Sequence, residues 1–141
     1  MQTLVTFVFK FLAALPLAWL HKLGNLLGGL GFRLLSKDRR RVFENMKLAG
    51  LNPTDEAVKK VFRETAKGGL ELPVAFFRRP EEIENLFVSV NGWEHVQTAL
   101  SAGEGLLFIT PHIGSYDLAG RYISQQLPFP LTAMYKPPKI K

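Results

Sequence analysis

The 141-residue chain contains no cysteine. Disulfides, thiol nucleophiles and zinc-thiolate chemistry are therefore excluded, and His, Asp, Glu, Ser, Tyr and Lys remain as possible actors. A reducing compartment is permitted. Repeats and low-complexity tracts are also lacking, as is any helix-turn-helix or zinc-finger spacing. No basic cluster interleaves with aromatics in the pattern of RNA-binding modules, so nucleic acid is not expected as a partner. Beyond the pair discussed below, no cluster of histidines and carboxylates has metal-ligand spacing, and neither a metal nor a cofactor is expected.

What the chain does have is positive charge and a skewed distribution of apolar residues. Its 18 Lys and Arg outnumber 12 Asp and Glu, giving a net charge of +6, and the isoelectric point is about 9.8. An anionic partner follows, and its nature is set by where the charge lies. The densest cluster, SKDRRR at residues 36–41, comes directly after a strongly apolar N-terminus. Lys37, Arg39, Arg40 and Arg41 are thus expected at a membrane surface, where each basic residue near anionic lipid contributes about 1 kcal/mol.

Residues 4–20, LVTFVFKFLAALPLAWL, have the length of a membrane-spanning helix. Ten Leu, Val and Phe contribute roughly 0.3 to 0.6 kcal/mol each toward insertion, against about 2.5 to 3.5 kcal/mol for Lys10, and Pro16 weakens the helix. A weakly spanning helix and one lying in the interface plane both fit, with Trp19 at headgroup level and Lys10 snorkelling. A buried hairpin of core helices is the competing structural reading. The residues ahead of the run, MQT, carry no Lys or Arg, and no small-x-small cleavage site follows, so the segment is expected to be retained. Positive charges after it keep the remainder on the cytoplasmic side.

The expected domain plan is a membrane-anchoring segment over residues 1–35 and part of an α/β domain over 36–141. Asn52 is the expected N-cap of an amphipathic helix, with Pro53 at its first position and Val58, Val61, Phe62 and Thr65 on one face. Gly68 and Gly69 interrupt it, LELPVAFF forms a second apolar segment, and Pro80 ends that. Three strands are predicted, LFVSV (86–90), GLLFIT (105–110) and LTAMY (131–135), separated by helices in GWEHVQTALSAG and GSYDLAGRYISQQ. Such alternation implies a partly parallel sheet with right-handed crossovers.

FITPHIGSYDLAGRYI places His112 and Asp117 at the junction of a predicted strand and helix. Five residues along a helix turn through about 500°, so the two side chains cannot share a helical face. They meet only if a loop through Ile113 and Gly114 precedes a helix starting near Ser115. Asp117 in its first turn would then fix the imidazole tautomer and stabilise the imidazolium, leaving the other nitrogen as a general base toward a hydroxyl. A histidine capping a buried helix end is the structural alternative. His21 and His95 lack comparable context and read as interfacial and surface residues.

TPHIGSYDLAG resembles the H-x-x-x-x-D/E block of membrane acyltransferases. With LHKLGNLLG, RRRVFENMKLAGL, GWEHVQTAL and AMYKPPKIK in that order, the chain resembles the late lipid A biosynthesis acyltransferases over its whole length. The resemblance implies transfer of a fatty acyl chain from acyl carrier protein to a hydroxyl of a lipid A precursor, at the cytoplasmic face of the bacterial inner membrane. His112 would be the base and Asp117 its orienting partner, at a position where many relatives carry Glu. Gly114, Tyr135 and Lys136 would serve substrate binding, Lys136 standing where the block often has Arg. Relatives run about twice as far, so the chain is expected to be the N-terminal half of such an enzyme. A catalytically silent module that binds anionic membrane lipid, or an inactive gene fragment, is the second reading.

Overall fold

The computed structural model describes residues 2–111 and 113–134. Seven helices make up its regular structure: α1 (Gln2–Ala14), α2 (Leu17–Leu34), α3 (Ser36–Leu48), α4 (Asp55–Phe77), α5 (Pro80–Glu84), α6 (Trp93–Ser101) and α7 (Tyr116–Gln126). Among the described residues there is no strand, and the expected α/β fold with a partly parallel sheet is overturned. The three predicted strands are irregular segments or turns, and Tyr135 lies outside the described residues. Their side chains are largely in solvent, with Val88 101%, Leu107 80%, Ile109 87% and Met134 93% exposed. Strand composition alone does not make a strand; a ladder needs a partner for its N–H and C=O groups and a face to bury.

The apolar N-terminus is two helices. Proline has no N–H to continue the ladder and its ring collides with the carbonyl four residues back, so α1 ends before Pro16. A new helix starts there, with Trp19 N and Leu20 N donating to the Pro16 carbonyl at 2.9 and 3.3 Å. The axes of the two helices differ by 116°. No single helix among the described residues is long and apolar enough to cross a membrane, though the bent pair meets the criterion together. The Arg78 guanidinium fastens the corner, donating through Nε to the Ala13 carbonyl at 2.8 Å and through Nη2 to that of Leu15 at 2.6 Å. These carbonyls lie at a helix C-terminus, where the helix supplies no donors and positive charge is favoured.

At the centre stands α4. It runs unbroken for 23 residues through Gly68, Gly69 and Pro73, where an interruption was expected. Two glycines cost roughly 1 kcal/mol each relative to alanine in a helix interior, a deficit tertiary packing can override. Here α4 packs against α1, α2, α3 and α7. Its N-cap is Thr54 rather than Asn52, the Thr54 hydroxyl accepting from the Ala57 N–H at 3.2 Å. The α2 contact is the most extensive and it is made backbone to backbone. Gly24 and Gly28 are buried on α2, where Cβ atoms would stand 2.9 Å from Lys67 Cα and 2.4 Å from Arg63 Cα.

The core gathers Leu20 from α2, Val74 and Ala75 from α4, Ile83 from α5 and Leu118 from α7, flanked by Leu12, Leu70, Phe87 and Tyr122. Phe87 and Tyr122 stack with ring centroids 4.3 Å apart. Pro80 ends α4 as expected but also opens α5, where the Arg79 N–H donates to Glu82 Oε2 at 3.1 Å. That bond holds the Glu82 carboxyl below its ordinary range. In α6 the residues Trp93, Val96 and Leu100 are half-buried.

Candidate active site

Asp117 sits in the first turn of α7, preceded by Ser115 as N-cap and by Gly114 at φ +63°. A positive φ is readily adopted by glycine and costs other residues about 1 kcal/mol or more, so Gly114 lets the chain turn sharply into the helix. This is the loop and helix start that the His112–Asp117 spacing requires. His112 itself, with Tyr135 and Lys136, lies outside the described residues. Lys37, Arg39, Arg40 and Arg41 lie on α3, exposed and remote in sequence from this loop.

The 113–117 segment rests over α4. A Cβ on Gly68 would come 3.9 Å from the Gly114 carbonyl oxygen, so the loop approaches closely where α4 has no side chain. Between loop and helix opens a groove of about 980 Å3, whose walls include Gly114 and Asp117 on one side and Lys60, Lys67, Glu71 and His21 on the other. Its size is that of a small-molecule site. Lys60, Glu64, Lys67 and Glu71 recur at helical spacing, a charged stripe on the face of α4 that borders the groove.

Within this stripe Glu64, Lys67 and Glu71 are paired. Lys67 Nζ donates to Glu64 Oε1 at 2.9 Å, which holds the Glu64 carboxyl below the usual carboxylate range, with Lys60 and His21 acting in the same direction. Glu71 is the buried charged residue of the described structure, 9% exposed. It accepts from His21 Nε2 at 2.5 Å across the α2–α4 interface. The reading of His21 as an interfacial residue without chemical context is thereby corrected, because an imidazole held by a buried carboxylate is a defined polar site. His95 is exposed, 3.9 Å from Glu94. A signal for His21 and Glu71 was present in the sequence: a carboxylate inside the apolar run LELPVAFF must find a donor if it is buried.

A half-buried carboxylate at a helix N-terminus, a left-handed glycine ahead of it and a groove lined by charged side chains suit binding of a polar substrate. The chain belongs to the bacterial lipid A biosynthesis acyltransferase family, whose family model matches residues 1–141. The family makes it an acyltransferase of lipid A biosynthesis, with an acyl donor and a lipid A acceptor. Comparison with curated proteins and with solved structures returned no match.

Proposed function

We propose that the protein transfers a fatty acyl chain from an acyl carrier protein thioester to a hydroxyl of a lipid A precursor, at the cytoplasmic surface of the inner membrane. His112 takes the hydroxyl proton as the oxygen attacks the thioester carbonyl. The C–S bond breaks, the carrier's sulfur leaves and takes the proton back from His112 as a thiol, and no acyl-enzyme forms. Asp117 orients the imidazole and stabilises its protonated form. Tyr135 and Lys136 contact the acceptor, Lys136 as a point charge without the bidentate geometry of arginine. The observation that carries this reading is the Gly114 turn at φ +63°, which starts α7 one residue before Asp117 and opens Asp117 onto the groove.

Membrane association is part of the proposal. Leu4, Phe7 and Phe11 on α1 and Trp19, Leu26 and Leu30 on α2 are exposed. A large apolar surface beside a basic helix is the pattern of interfacial anchoring, and anionic lipid is the partner proposed for α3. The test is an assay with labelled acyl carrier protein thioester and lipid A precursor in mixed micelles. Product from the wild-type chain and loss of about 10² to 10⁴ in rate in His112→Ala support the reading. Equal rates in the two proteins would exclude His112 as the base, and a wild-type chain that binds vesicles without forming product would favour the silent membrane-binding module.

A further inference from the structure

The structure contains a formed carboxylate–imidazole pair that the proposed reaction does not use. Glu71 is buried on α4, and His21 Nε2 lies 2.5 Å from its Oε1. A pair of this kind is a poor way to hold two helices together, because desolvating the charges offsets much of their attraction and apolar residues would serve as well. The two helices are already held by apolar and backbone contacts, Leu20 packing with Val74 and Ala75 in the core and Gly24 lying against the backbone of Lys67. What the pair adds is direction. A carboxylate only accepts, so Glu71 places the proton on Nε2 and leaves Nδ1 of a neutral ring with its lone pair. No hydrogen-bond partner of Nδ1 occurs among the described residues. The ring is 37% exposed and lines the groove that Asp117 also lines.

We propose that His21 is a second substrate-binding imidazole of this groove, with Glu71 as its positioning residue: Nδ1 accepts a hydrogen bond from a hydroxyl of the polar acceptor headgroup. Lys60 lines the same groove and can meet an anionic group of the ligand, whereas Lys67 is already held by Glu64. The identity of that ligand as a lipid A precursor rests on the function proposed above, whereas the tautomer and accessibility of His21 do not.

The experiment is nitrogen-15 NMR of the whole chain, uniformly nitrogen-15-labelled and solubilised in detergent, with a lipid A precursor as titrant at a pH where the imidazole is neutral. The expected spectrum shows His21 as the Nε2–H tautomer, with its Nδ1 resonance moving as the precursor is added. Glu71→Gln should keep the fold, checked by an unchanged helical circular dichroism spectrum, yet give a mixture of tautomers, because an amide offers both donor and acceptor. Precursor binding should weaken by about tenfold, the worth of one directed hydrogen bond. An Nδ1–H tautomer in the wild type would overturn the proposal. So would a fixed Nδ1 resonance while backbone signals of 113–117 respond to precursor, and that result would leave the acyl-transfer reading standing. Silence at both positions would overturn both.

Discussion

Gly28 on α2 meets the backbone of Arg63 on α4 so closely that a Cβ would lie 2.4 Å from the Arg63 Cα and 2.6 Å from the Phe62 carbonyl oxygen. Both obstacles are main chain and cannot turn aside. Gly28→Ala should therefore lower stability by about 1 to 3 kcal/mol, overpacking outweighing the helix propensity gained. Gly29, the next residue, has nothing within 4 Å of its virtual Cβ. Gly29→Ala should raise stability by roughly 0.5 to 1 kcal/mol. Chemical denaturation of the two variants in one detergent gives opposite shifts of midpoint if the backbone contact is real; equal shifts would show that α2 and α4 can separate at little cost.

The corner at Pro16 depends on one side chain. Arg78 donates to the carbonyls of Ala13 and Leu15 at the end of α1, and hydrogen bonds from a charged donor contribute about 1.5 to 3 kcal/mol each. Arg78→Met keeps most of the apolar stem and removes both donors. Faster amide exchange at the end of α1, with α6 unchanged, is the expected outcome. Lys at this position should recover only part of the protection, having no planar fork to span two carbonyls.

These relationships show what a sequence carries and what it does not. Pro80 and the Gly114–Asp117 turn act locally, through missing donors and permitted dihedrals, and their effects were legible as an ended helix and a helix start; Pro16 was legible only as a weak point in one helix over 4–20, where the structure has two helices 116° apart. The strand assignment failed because LFVSV, GLLFIT and LTAMY meet only the compositional half of the requirement. Ladder partners are a property of the whole fold, and Val88 and Ile109 have none among the described residues. Gly68 and Gly69 misled in the other direction, since helix packing rather than propensity decided their conformation. The His21–Glu71 contact joins residues 50 apart, and the only trace of it in the sequence is a carboxylate set among Leu, Pro and Val.

Membrane binding should divide unequally among the basic residues of α3. Arg40 is paired with Glu44 at 2.7 Å, which holds its guanidinium above the ordinary pKa, and Arg41 is paired with Asp38 at 3.2 Å. Lys37 and Arg39 have no carboxylate partner among the described residues, Arg39 lying 5.3 Å from the centre of the Phe32 ring. At about 1 kcal/mol per unpaired basic residue, Lys37→Ala or Arg39→Ala should each reduce partition onto anionic vesicles about fivefold, and Arg40→Ala by less. High salt should weaken association without abolishing it, because the apolar term is not screened. Complete release by salt alone would mean that α1 and α2 do not insert their exposed face.

The Glu64–Lys67 pair gives a pH dependence of known sign. Glu64 has its pKa lowered from the ordinary 4.5, first by the Lys67 hydrogen bond. Stabilisation from this group is therefore present above about 4.5, its unfolded value, and is lost as pH falls through the lower folded value. The effect is small, since the carboxylate is exposed and solvent-screened. Carbon-13 titration of the Glu64 carboxyl should show the lowered midpoint, and Lys67→Met should move it up. An unchanged midpoint in that variant would remove Lys67 as the cause.

The sharpest test of the site is a comparison of two changes at Asp117. Asp117 occupies the first turn of α7, where a negative charge is favoured by the helix N-terminus, and its carboxylate lines the groove. If it stabilises a protonated His112, Asp117→Asn preserves size and hydrogen-bonding reach but removes the charge, and transfer should fall by about 10² or more. Asp117→Glu restores the charge on a longer arm and should retain more activity than Asn, since the carboxylate can still reach an imidazole across the Gly114 turn. Helix-terminus stability would rank the variants differently: Asn is as good as Asp near a helix start, so a purely structural Asp117 predicts a near-normal rate for Asn. The decisive reading is the ratio of the two rates in proteins with equal helix content. A Glu variant slower than the Asn variant would remove the charge from the mechanism and leave Asp117 as a feature of the helix start.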